Sequence, residues 1–161
     1  SRGLGDVYKR QGFDKIEFMI SANPGEPPKS LSKVASGGEL SRMMLAIKTV
    51  LASTEDIDTL IFDEVDTGIS GSAAQKVGLK LKEVSKSSQV LCVTHQAQLA
   101  ALADAHYLIS KQVEDGRTFT QVKLLDFDGR KHELARIIGG VNITGAALAH
   151  AESMLKESEI L

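Results

Sequence analysis

Two short apolar runs, Thr59 to Phe62 and Gln89 to Thr94, flank a helical pattern marked by Ala73, Ala74, Val77, Leu81 and Val84. Strand, helix and strand with short connections make a βαβ unit, and the crossover returns the second strand parallel to the first. Continuous apolar runs of this length fit strands covered on both faces. The fold class expected is therefore α/β, with a mostly parallel sheet flanked by helices.

The other segments fit around that unit. Phe13 to Ile20 alternates, with Ile16, Phe18 and Ile20 on one face, and predicts a strand. Asn23-Pro24-Gly25-Glu26-Pro27-Pro28 is loop chemistry, because its prolines exclude a helix. From Glu39, residues Leu40, Met43, Met44, Ile47, Val50 and Leu51 form one helical stripe, expected to face the core. Asp66 to Ser72 is rich in turn formers. Gln96 to Ala103 predicts a short helix. Tyr107–Gln112 and Thr118–Leu125 predict a late hairpin across Glu114-Asp115-Gly116-Arg117. His132 to Ile138 predicts a helix ending at Gly139-Gly140, and Thr144 to Lys156 a last one.

Composition narrows the class of partner. The net charge of −2 supplies no basic footprint for nucleic acid. No apolar run approaches a membrane span, and no signal peptide is visible. The single cysteine, Cys92, reads as a small buried hydrophobe, and a chain with one cysteine fits a reducing cytoplasm. Asn142-Ile143-Thr144 matches a glycosylation pattern that is common by chance. Residues 1–11 lack periodicity and read as a non-native leader, leaving 12–161 as one domain.

Ser36-Gly37-Gly38-Glu39 opens the first amphipathic helix. Two glycines let backbone approach a ligand closely, and the unpaired N–H groups of a helix start favour an anion. The same residues also form a capping box, Ser36 with Glu39, and both readings can hold together. Asp63 and Glu64 end the first apolar strand, where ligands of open α/β sheets bind. Such a pair can hold a metal ion and polarise a water, or be a solvated acidic turn. His95 follows the second strand and falls at the same sheet edge. It can touch a phosphate oxygen there, or be incidental.

Taken as a set, these residues resemble the SMC-like branch of the ABC-type ATPases. Ser36-Gly37-Gly38-Glu39-Leu40-Ser41-Arg42 resembles the signature motif, and Leu60-Ile61-Phe62-Asp63-Glu64-Val65-Asp66 the Walker B strand. Thr67-Gly68-Ile69-Ser70 stands at the D-loop position and His95 at the switch-histidine position. With Asn23-Pro24-Gly25-Glu26 and Val93-Thr94-His95-Gln96, the set resembles the bacterial DNA-repair members of that branch over residues 12–161. The resemblance implies the C-terminal lobe of an ATPase head using ATP and Mg²⁺. It implies Glu64 as general base, Asp63 serving Mg²⁺ and His95 sensing the γ-phosphate. Ser36, Gly37, Gly38 and Glu39 would meet ATP held by the second head of a homodimer. DNA is the implied partner of the whole protein, no membrane is involved, and the setting is the bacterial cytoplasm at the nucleoid. Ser70 stands where many members carry a D-loop aspartate, which disfavours a transporter subunit. Retention of both Asp63 and Glu64 disfavours a non-hydrolytic interaction module.

The chain contains no G-x-x-x-x-G-K-[ST] loop and no heptad array. The resemblance places the phosphate loop and the coiled-coil arms on an N-terminal lobe upstream. This chain alone is therefore expected to hydrolyse no ATP.

Overall fold

The computed structural model describes residues 16–21, 25–31, 36–51, 57–114 and 116–160. The leader expected at residues 1–11 lies outside them. The chain divides into two units, Ser1–Ser36 and Gly37–Leu161.

In the first unit, β1 (Met19–Ile20) pairs antiparallel with β2 (Lys29–Ser30), Met19 opposite Ser30. Among the described residues, the alternating strand expected from Phe13 is realised at Met19–Ile20. Residues 13–15 lie outside the described set, Ile16 and Phe18 are exposed, and Ile20 is half-buried.

The second unit begins with α1 (Gly37–Leu51) and continues through β3 (Thr59–Phe62), α2 (Gly71–Val84), β4 (Gln89–Cys92) and α3 (Ala97–Leu102). β5 (Tyr107–Glu114) and β6 (Arg117–Leu124) form the expected antiparallel hairpin. α4 (Phe127–Gly139) and α5 (Gly145–Ser158) complete it. β3 and β4 pair in parallel, Thr59 opposite Gln89 and Phe62 opposite Cys92, with α2 as the crossover. Among the described residues this is the parallel pairing, and the other two pairs are antiparallel.

Two apolar clusters meet at α3. Leu99 joins Leu45, Phe62, Val65, Ala74, Leu81 and Val84 around the parallel strands. Ala97, Ala100 and Ala101 pack with Leu134, Ala135, Ala147, Ala151 and Leu155 between α4 and α5. The alanines let three helices approach closely. Gly78 does the same for α2 and α3, since a Cβ there would lie 2.6 Å from Leu102 Cδ1.

Two expectations about faces are corrected. On α1 the buried residues are Gly38 and Leu45, while Leu40, Met44, Ile47 and Val50 of the stripe are exposed. Polar anchoring explains the rotation, because Ser41 and Arg42 bind backbone carbonyls of the segment that follows β3. The parallel pair is covered on one face only: Phe62 is buried, whereas Ile61, Leu91 and Val93 are exposed. α4 starts earlier than its apolar spacing indicates, because Asp126 caps it by accepting from Gly129 N. Thr144 of the glycosylation pattern caps α5, accepting from Ala147 N.

Candidate active site at the strand ends

The carboxyl ends of β3 and β4 lie side by side, with Val93 N donating to Phe62 O at 3.0 Å. Asp63 and Glu64 follow β3 and both are exposed. Glu64 has φ 57°, a left-handed backbone that non-glycine residues rarely adopt. A turn holds it, with Thr67 N donating to Glu64 O at 3.0 Å. Val65 and Asp66 are then fully buried. The chain thus turns two carboxylates outward and a third inward within four residues of sequence.

The start of α1 packs against this turn. A Cβ on Gly37 would lie 2.6 Å from Glu64 Oε2, and one on Gly38 would lie 2.9 Å from both Glu64 O and Thr67 O. Ser41 Oγ donates to Asp63 O at 2.8 Å, and Arg42 donates to Val65 O at 3.2 Å and Thr67 O at 2.7 Å. The glycine pair therefore has a partner within its own chain, which its sequence spacing did not signal. Glu39 lies in the first turn of α1, and Ser36 directly precedes the helix.

His95 follows β4 with an exposed ring, and its Nδ1 lies 3.3 Å from Asp66 Oδ2. That oxygen also accepts from Thr94 Oγ1 at 2.5 Å and from His95 N at 3.0 Å. Gln96 adds a second tie, donating through Nε2 to Ile69 O at 3.1 Å. Asp66 is the residue that motif reading passed over. Its signal was present as a third carboxylate after Val65, but spacing alone does not show that it points inward.

Cys92 is partly buried, less than expected, and packs against the cluster around β3 and β4. Burial, then the charges of Asp66 and Asp63, push its thiol up to about 11. The thiolate, the nucleophilic form, is thereby disfavoured. Ser70 precedes α2 without a side-chain cap bond.

Asp63 could serve a cation. The described residues contain no cluster of three or more His, Cys, Asp or Glu able to cage one. An outward carboxylate such as that of Asp63 fits Mg²⁺, which keeps its waters and binds through one or two carboxylates together with substrate phosphates.

A parallel strand pair with an acidic edge, a histidine on the neighbouring strand end and a glycine-opened helix against the turn make an α/β arrangement that has a counterpart among SMC ATPases. A solved chain from work on ATP-driven dimerization and DNA-stimulated activation of SMC ATPases shares this fold. Its TM-score is 0.50 at 24% identity, covering 77% of this chain and 81% of that one. Over most of its length the chain is similar to DNA repair proteins named RecN. It is 53% identical over 149 residues to the DNA repair protein RecN of Bacillus subtilis, covering 92% of this chain and 26% of that protein. It is 51% identical over 144 residues to RecN of Deinococcus radiodurans, covering 89% and 25%. The chain thus spans about a quarter of the length of the curated relatives it matches. No family model matches it.

Proposed function

We propose that this chain is the hydrolytic C-terminal lobe of a RecN-like ATPase head, acting in recombinational repair of DNA double-strand breaks. The observation that carries the reading is the turn after β3. Glu64 is held at φ 57° with its carboxylate outward, beside Asp63 and across from His95 on the next strand end. Uncommon backbone of this kind is kept where the surrounding structure enforces it, often at functional sites.

Mg²⁺-ATP, when bound, supplies the γ-phosphoryl group and the metal charge that neutralises it. Asp63 is the metal-side carboxylate. Glu64 orients a water and takes its proton. His95 meets the phosphate side through its ring. Ser36, Gly37, Gly38 and Glu39 serve ATP on the second head of a homodimer, through the N–H groups of the α1 start.

The exposed face of Ile61, Leu91 and Val93 supports a missing partner lobe, because parallel strands are ordinarily covered on both faces. An N-terminal lobe with the phosphate loop fits that face, and the coiled-coil arms and DNA contacts belong to the longer protein. Among the described residues no helix is long and apolar enough to cross a membrane. Action in the cytoplasm, at the nucleoid, follows from the repair role.

The test is Glu64→Gln in the longer protein. ATP binding is expected to persist while turnover falls by about 100-fold or more, as loss of a general base requires. Turnover within a factor of about two of the unsubstituted protein would remove Glu64 from that role.

A further inference from the structure

The carboxylate of Asp66 is 1% exposed and belongs to none of the roles assigned above. A carboxylate is costly to bury unless donors surround it. Here a single oxygen, Oδ2, gathers Thr94 Oγ1, His95 N and the His95 ring. The loop after β4 does not need the ring contact to hold its course. Thr94 Oγ1 also accepts from Gln96 N at 3.0 Å, and Gln96 Nε2 reaches Ile69 O. The Gln96–Ile69 bond, with those of Thr94 Oγ1 and His95 N to Asp66, already ties the two strand-end loops together. The approach of Nδ1 to within 3.3 Å of Asp66 Oδ2 is additional, and it is made by a side chain that is otherwise 69% exposed.

We propose that Asp66 is the positioning residue for His95, holding its Nδ1–H inward so that Nε2 is the ring atom turned to the reaction. The proton carried by one ring nitrogen is set by the bond the other makes. An unrestrained neutral imidazole carries its proton mainly on Nε2. Asp66 reverses that preference and stops the ring from turning over. The acidic turn and the histidine are thereby one unit, so a shift of the turn moves the ring. The inference rests on the assignment of His95 to the ATP site made above.

The test has two arms. Nitrogen-15 spectra of the His95 ring in this chain, at alkaline pH, are expected to show the proton on Nδ1. Asp66→Asn keeps the side-chain shape but removes the charge, and is expected to return the ring toward the Nε2–H form. Thr94→Val, which leaves the Nδ1 contact intact, is expected not to. A proton on Nε2 in the unsubstituted chain overturns the proposal, whether or not the variant folds. So does an unchanged tautomer in a folded Asp66→Asn chain.

In the longer protein, Asp66→Asn is expected to lower kcat about 10- to 100-fold with KM little changed, the range typical of a histidine's outer partner. The same change in a His95→Ala background is expected to add nothing. Equal losses in both backgrounds would show that Asp66 acts without His95, and would overturn the proposal. If His95→Ala leaves turnover intact while the spectra show Nδ1–H, the assignment of His95 to the ATP site fails and the positioning contact stands.

Discussion

The carboxylate of Glu64 lies against Gly37 in the same chain, so close that a Cβ there would stand 2.6 Å from Oε2. The glycine pair thus has two demands on it. Its N–H groups open a helix suited to an anion, and its missing side chains admit the turn that carries the acidic residues. The two glycines meet that turn differently. Gly37 faces the movable end of a side chain, whereas Gly38 faces the carbonyl oxygens of Glu64 and Thr67.

That difference separates two alanine substitutions. Gly38→Ala must push backbone aside, and is expected to destabilise the chain by about 1–3 kcal/mol despite alanine's better helix propensity. Gly37→Ala is expected to change stability by no more than about 0.5 kcal/mol, because the Glu64 side chain can swing away. Urea unfolding of the two variants measures this. Equal losses would mean that the turn is not packed as described.

Arg42 fastens the same turn by donating to the carbonyls of Val65 and Thr67. Arg42→Ala is expected to cost about 1.5–3 kcal/mol, the range for hydrogen bonds from a charged donor. Arg42→Lys is expected to recover only part of it, since Nη1 donates both bonds from a rigid planar group that a flexible ammonium does not reproduce. Urea unfolding again decides. Full recovery by lysine would show that charge alone matters there.

How much of this was legible in the sequence depended on whether a residue's role is local. β3, α2 and β4 follow from apolar period and length, and their parallel pairing follows from chain handedness. The hairpin of β5 and β6 was legible from its turn residues. The orientation of α1 was not, because Ser41 and Arg42 outweighed its apolar stripe through bonds to a turn more than twenty residues away. The first turn of α4 was hidden behind Gly129, which reads as a loop residue until Asp126 is seen to cap it. Asp63, Glu64 and His95 were identifiable as strand-end residues. Asp66 was not separable from the turn, since only the fold shows a buried carboxylate beneath the histidine.

His106 gives a pH dependence with a definite sign. Burial, then the nearby Arg130 charge, lower it from the ordinary 6.5, with Glu133 opposing. Its Nδ1 is buried without a hydrogen-bond partner among the described residues. The unfolded chain therefore takes up the proton first as pH falls. Stability from this group is present above 6.5 and is lost as pH drops from there through the lowered folded value. Unfolding free energy between neutral and mildly acidic pH is expected to fall less steeply in His106→Gln. Identical slopes in the two chains would contradict it.

The central claim is that the acidic turn of one head and the α1 start of another complete each ATP site. It is tested most directly by mixing two inactive forms of the longer protein. Ser36→Arg blocks the helix start and keeps Glu64, while Glu64→Gln keeps the helix start and loses the base. Each form alone is expected to be nearly inactive. In mixed dimers, one site joins an intact Glu64 to an intact helix start, so ATP turnover is expected to return on mixing. No recovery in mixtures shown to form dimers would contradict the claim. It would instead place the helix start and Glu64 in one site of one chain, where Gly37 and Glu64 already touch.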